Sequence, residues 1–338
     1  MFRKLVALRD KILKLHEIKE GIFYRYIPYS VFVSMCEAKL KKIEEEKKIK
    51  HLSRPVKGYL DMYCFRANTY NDPREGKILI ELSEREAKRS RQRGLLAELY
   101  QETEIERKSI DINSMVFVGS FIAEKPSDLS IWAKRSKNNF TNNHSPLSDS
   151  LPMWRDYADK GKGVCLEVYI KPTDMIPMYR ISYNEKEQLM VLDSICSILA
   201  DFSEVELREN ATRLREIIDP IRFLFKSPEH DYENEARIIE ICGFNKETGI
   251  LTSMGSRKTE FEMNLLKNEK DPSLSRLFIN FENFYFKNKG AITVGPAFDE
   301  SDYLFSKRVI IEQIYYWLKK LNLLDDVKVK VSQYNIRF

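Results

Sequence analysis

Four positions in this chain carry residue types from which a group-transfer site can be built: Arg25 in "FYRY", Ser120 in "VFVGSF", and Glu233 with Glu235 in "YENEARI". An arginine fork holds phosphate oxygens in a bidentate grip. A serine hydroxyl can orient a carboxylate, and that carboxylate can stabilise a cation forming beside it. Carboxylates two apart on a strand share a face, so Glu233 and Glu235 could act on one substrate, one of them activating an acceptor. The same spacing has a plainer reading. Glu233, Glu235 and Arg237 alternate on one strand face and can form a cross-strand ion-pair network, worth about 0–1 kcal/mol per pair at a surface.

Other polar positions are candidates for the same chemistry. Asp72 and Glu75 lie in "NDPREG", where an Asp before Pro initiates a turn and could also meet phosphate or a metal. Lys226 and His230 precede the glutamate pair, and a histidine is suited to general acid–base work. Trp154 and Tyr157, three apart on a short helix, could wedge it against a sheet or line a ligand cleft, with Arg155, Asp156 and Asp159 turned elsewhere. A nuclease reading would gather Asp72, Glu233 and Glu235 around a divalent cation. An interaction module would instead use Trp132, Trp154 and Tyr157 as contact surface. The four histidines are dispersed and the five cysteines include no C-x-x-C pair, so no local metal-ligand spacing exists and no metal is expected.

The elements that must position these residues alternate irregularly. Strands are expected at Gly21–Ile27, Tyr59–Arg66, Ser114–Glu124, Val164–Ile170 and Glu235–Phe244, then in "LFINFENFYF", "GAITVGPAF" and "VKVKVSQY". A long charged helix is expected over 77–108, helical spacing over 185–225 with a break near Pro220, and an amphipathic helix over Asp299–Leu321. Met153–Asp159 favours a helical turn that Gly161 and Gly163 end. Strands and helices neither alternate strictly nor segregate. The expected class is therefore α+β, a mixed central sheet of short strands with helical insertions near 77–108 and 185–225, forming a single domain over 21–338.

Residues 1–20 read as a basic amphipathic helix, with Met1, Leu5, Leu8, Ile12 and Leu15 on one stripe. Residues 1–60 hold 15 basic and 7 acidic residues, against 41 and 44 over the remaining 278. The positive surplus therefore sits at the N-terminus. An edge helix on the body is the first expectation, an anionic membrane surface the second, and nucleic acid the least favoured partner. No apolar run long enough to span a bilayer and no cleavable leader is evident, and unpaired cysteines suit a reducing cytoplasm. A secreted effector without a cleaved leader remains a further reading.

Two resemblances follow. "FYRY", "TYNDPREG", "VGSF", "MWRDYADKGKGVCLEV", "FKSPEHDYENEARII" and "ITVGPAF…VKVKVSQYNIRF" occur in an order that resembles a widespread bacterial family of unknown function, number twenty-nine seventy-one in its series. Arg74 stands where that family usually has Phe, and Gly119 where Cys is common. The order Arg25, Ser120, Glu233-x-Glu235 is also similar to the Arg-Ser-Glu pattern of ADP-ribosyltransferases. That second resemblance implies NAD as the cofactor, Arg25 on its pyrophosphate with Ser120, Trp154 and Tyr157 around it, and Glu235 as the catalytic carboxylate. It also implies a macromolecular acceptor, a protein in the first instance, and a toxin or effector role.

Overall fold

The computed structural model describes residues 1–50, 56–67, 76–101, 114–123, 149–254, 259–267, 275–298 and 306–334. In chain order the elements are α1 (Phe2–His16), β1 (Glu17–Ile18), β2 (Gly21–Pro28), α2 (Tyr29–Lys50), β3 (Leu60–Arg66), α3 (Ile78–Ala87), α4 (Arg91–Tyr100), β4 (Ser114–Ala123) and α5 (Leu151–Tyr157). There follow β5 (Gly163–Ile170), β6 (Met178–Arg180), α6 (Glu185–Leu199), α7 (Glu204–Glu209), α8 (Ala211–Arg222), β7 (Glu235–Phe244), β8 (Leu251–Ser253), β9 (Glu260–Phe261) and β10 (Asn264–Leu266). The last are β11 (Arg276–Tyr285), β12 (Gly290–Val294), α9 (Lys307–Lys320) and β13 (Val327–Val331). Strand pairing is largely antiparallel, with helices interspersed, so the class is α+β. Among the described residues no helix is long and apolar enough to cross a membrane.

The chain divides into two compact units, each assembled from three separate segments. Unit 1 takes Met1–Ile18, Cys64–Ser120 and Ile176–Ile279, and unit 2 takes Lys19–Tyr63, Phe121–Met175 and Asn280–Phe338. In unit 1 the strands run β1-β6-β7-β4, with β8 on the far end of β7. Helices α1, α4, α6 and α8 cover them around Leu5, Ile12, Leu96, Leu192, Ile195, Leu214, Ile218 and Ile221, all buried. The apolar stripe of α1 is thus packed into a core, leaving Arg3, Lys4, Lys11 and Lys14 exposed beside Met1 and Leu15.

The charged stretch expected as one helix over 77–108 is instead a hairpin of α3 and α4, and residues 102–113 lie outside the described set. Two contacts explain the fold-back. Gly94 packs so close to Ala87 that an added Cβ would sit 2.9 Å from the alanine methyl. Glu86, 1% exposed, draws in Arg89 and Arg93 at 3.0 Å each. Helical spacing over 185–225 resolves into α6, α7 and α8. Asn184 caps α6 by accepting from Lys186 and Glu187 N–H, and Ser203 opens α7 in a capping box with Glu206.

Unit 2 carries the strand order β4-β2-β5-β12-β13. The β12–β13 pair is parallel, joined through α9 as a βαβ crossover. Gly161 takes φ +86° and Gly163 runs so close to β2 that a Cβ would lie 2.3 Å from the Ile27 carbonyl oxygen. The "GKG" turn is therefore a steric requirement for β5 to enter the sheet. Above β2, Trp154 is 0% exposed with its ring edge-on to Tyr26 at 4.6 Å. Its partner in the expected wedge does not follow: Tyr157 is 43% exposed, because positions three apart on a helix diverge by about 60° and α5 ends there.

A buried carboxylate fixes α5. Asp149 accepts from Trp154 Nε1 at 2.8 Å, from Ser332 Oγ at 2.6 Å and from the Gln333 N–H at 2.7 Å. Asp149→Ala leaves three donors without an acceptor and is expected to cost about 3 kcal/mol of unfolding free energy. Asp149→Asn, which keeps an acceptor oxygen, should cost about a third of that. Urea titration followed by tryptophan fluorescence checks both.

Candidate functional site

The polar residues of unit 1 meet where β7 begins. Residues Pro228–Glu233 form a 3-10 turn, Asn234 takes the left-handed conformation at φ 42°, ψ 49°, and the chain enters β7 at Glu235. Asparagine is among the few residues that tolerate this conformation. The expectation that the two glutamates share a strand face is corrected here, since Glu233 precedes the strand. They converge because Asn234 turns the chain between them. Both carboxylates point at Lys226 Nζ, Glu233 at 2.5 Å and Glu235 at 3.3 Å.

Glu235 is gripped from a second side. Arg237 Nε and Nη2 donate to its two oxygens at 2.6 and 2.8 Å, and Arg237 Nη1 donates to the Phe223 carbonyl at 2.8 Å. The ion pair therefore runs along one strand and is buried, Arg237 being 1% and Glu235 6% exposed, which replaces the surface cross-strand network expected from spacing. The Ser120 side chain on β4 completes the ring of donors to Glu235. Burial by itself raises the Glu235 pKa, but Arg237, Lys226 and Ser120 outweigh it and pull the carboxyl down to about 2. For Lys226 burial likewise favours the neutral form, and Glu235 and Glu233 reverse it, so the ammonium is held above the usual lysine value.

The rim of this cluster contains one imidazole. His230 places Nδ1 3.5 Å from Glu233 and Nε2 3.7 Å from Glu229, with its ring partly exposed. Tyr183 closes the other side, its hydroxyl oxygen accepting the Glu235 N–H at 3.0 Å. Gln188 donates to the Lys226 carbonyl at 2.9 Å, tying the lysine to α6. Nearby, His16 sits between the Arg180 carbonyl at 2.8 Å and Glu187 at 3.2 Å, joining α1 to the same layer.

Of the candidates raised by spacing, Ser120, Lys226, His230, Glu233, Glu235 and Arg237 are brought together in unit 1. Arg25, Trp154 and Tyr157 belong to unit 2. There Arg25 donates to the Tyr285 hydroxyl at 3.1 Å and lies 5.5 Å from the Phe121 ring centre, while the Trp154 indole N–H is taken by Asp149. Asp72, Glu75 and Trp132 lie outside the described residues. Among the described residues no three His, Cys, Asp or Glu side chains form a metal-binding group. Tyr183 and Gln188 were not visible as site residues, because neither stands in a recognisable spacing and both arrive through packing of the 181–188 segment.

Residues 153–238 match the family model described as protein of unknown function, DUF2971. The family assignment read from the sequence holds for that segment. The DUF2971 match begins at Met153 in α5 and ends at Ile238 in β7, so it takes in Trp154 and every acidic and basic member of the cluster around Glu235. No curated protein and no solved structure matches the chain.

Removing Arg237 would strand a buried carboxylate. Arg237→Met is expected to destabilise the protein by about 3–5 kcal/mol at neutral pH in chemical denaturation. Because the folded pKa of Glu235 lies below its unfolded value, its contribution is present at neutral pH and is lost as pH falls from the ordinary carboxylate range to about 2. Acid unfolding of the wild type should therefore be steeper below pH 4.5 than that of Glu235→Gln, read by far-ultraviolet circular dichroism.

Proposed function

We propose that unit 1 carries a glycosyl-transfer centre of the ADP-ribosyltransferase kind, with NAD as donor and a macromolecule as acceptor. The observation that carries this reading is a cation already held between two carboxylates: Lys226 Nζ lies 2.5 Å from Glu233 and 3.3 Å from Glu235. A ribosyl cation has the same electrostatic demand. As the bond from ribose C1′ to nicotinamide breaks, its electron pair leaves with neutral nicotinamide and positive charge develops on the sugar. Glu235, kept ionised, would stabilise that charge once Lys226 swings aside. Ser120 would orient the carboxylate, and Glu233 would take the proton of the attacking acceptor with His230 beside it. The pyrophosphate role that the ADP-ribosyltransferase resemblance implies for Arg25 is left out, since Arg25 belongs to unit 2 and its guanidinium already donates to Tyr285.

One observation favours a second reading. Arg237 and Glu235 are so thoroughly enclosed that the cluster could serve only to organise the start of β7. Nicotinamide release from NAD, followed by chromatography with and without cell lysate as acceptor, separates the two. The transfer reading expects turnover that falls at least a hundredfold in Glu235→Gln and about tenfold in Ser120→Ala, with both variants folded. Absence of turnover, of macromolecular labelling and of any NAD-dependent rise in melting temperature would leave the organising role alone. A cytoplasmic residence is also proposed, because all five cysteines are free and buried.

A further inference from the structure

The two deeply buried arginines of unit 1 are each forked on a carboxylate, Arg237 on Glu235 and Arg222 on Asp219. Arg180 breaks that rule. It stands on β6 opposite Ala236 of β7, half-buried, and its Nε is sealed from solvent without a hydrogen-bond acceptor. No carboxylate pairs with it among the described residues. Burial pushes its guanidinium below the usual arginine value, opposed only by the neighbouring Tyr183 hydroxyl. A buried donor left unpaired costs about 1–3 kcal/mol, more when charged, so Arg180 Nε calls for an acceptor, which a water or a ligand can supply.

Tyr183 supplies a second unspent donor. Its oxygen accepts the Glu235 N–H, and no hydrogen bond donated by its own O–H forms among the described residues. Burial and the Glu235 charge raise its pKa, so the phenol keeps its proton at neutral pH. The cross-strand neighbour of Arg180 is an alanine, whose side chain offers the guanidinium no hydrogen-bond acceptor. We propose that Arg180 and Tyr183 form an oxyanion subsite that takes a phosphate group. The guanidinium fork offers parallel N–H donors to two phosphate oxygens, and the phenol offers one more to a third. Insofar as this phosphate belongs to a nucleotide donor, the inference rests on the glycosyl-transfer reading; as an anion subsite it does not.

Thermal unfolding with inorganic pyrophosphate at millimolar concentrations tests it directly, since a ligand of the folded state raises the melting temperature in proportion to its binding. Wild type is expected to gain stability with pyrophosphate. Arg180→Met should melt at or above the wild-type temperature without ligand, because a half-buried guanidinium with an unpaired Nε has been removed, and should show no pyrophosphate response. Arg180→Lys, which keeps the charge and loses the fork, should bind at least tenfold more weakly, and Tyr183→Phe several-fold more weakly. The subsite is overturned if wild type does not respond, if either arginine variant responds like wild type, or if Arg180→Met melts well below it. A pyrophosphate response without NAD turnover removes the transfer reading and keeps the subsite; turnover without that response does the reverse.

Discussion

A guanidinium removed from water must meet its charge inside the protein, and Arg237 is the residue on which unit 1 depends for that reason. Desolvating an arginine costs several kcal/mol, which only a close, well-aligned partner offsets. Glu235 supplies both oxygens, yet a carboxylate so placed has further lone pairs to satisfy. Lys226 and Ser120 fill them, and Glu233 then balances Lys226. The positions of these side chains are consequences of one buried charge. So is the backbone: Asn234 adopts its left-handed turn between the glutamates, and the Lys226 N–H donates to the Ser182 carbonyl at 3.1 Å, fixing the approach to α6.

Unit 2 handles buried polarity differently. Asp149 is met by neutral donors from an indole, a hydroxyl and a backbone N–H, so no second ion is needed. It also encloses an ion pair, in which Lys39 donates to Asp61 Oδ1 and to Asn283 Oδ1, both at 2.9 Å. Neutral donors around a single carboxylate fix its geometry without a second ion. In unit 1, opposite charges crowd together with a histidine at the rim, and a displaced cation there would change the field at once. That contrast is the reason the proposed chemistry is assigned to unit 1.

Legibility from sequence followed the range of the forces involved. Strands β2, β5, β7 and β13 were readable because alternation or continuous apolar runs are set locally. Short strands β8, β9 and β10 were not, since two or three residues leave no period to detect. The break between α3 and α4 was hidden because "EREAKRSRQR" suits a helix at every position, and only the buried Glu86 and the Gly94 contact turn it back. At the site, Ser120, Glu233 and Glu235 were found by residue type and order. The reason for their meeting was misjudged: a strand period was assumed where a left-handed asparagine does the work. Arg180 and Tyr183 were missed because a buried donor without a partner is a property of packing, invisible until the strands are paired.

The interleaving of the two units bears on how the chain reaches its native state. Each unit is stitched from three separated segments, and the pairing of Glu17 with Tyr179 joins residues far apart in sequence. No contiguous fragment consists of either unit alone. Folding must close long loops before most core contacts reward it, which makes it slow and leaves apolar segments uncovered in the meantime. During synthesis, α1 would wait with its apolar stripe bare until α6 and α8 emerge behind it. Such a chain invites chaperone binding at its N-terminus, and it makes truncation a poor route to a smaller working protein.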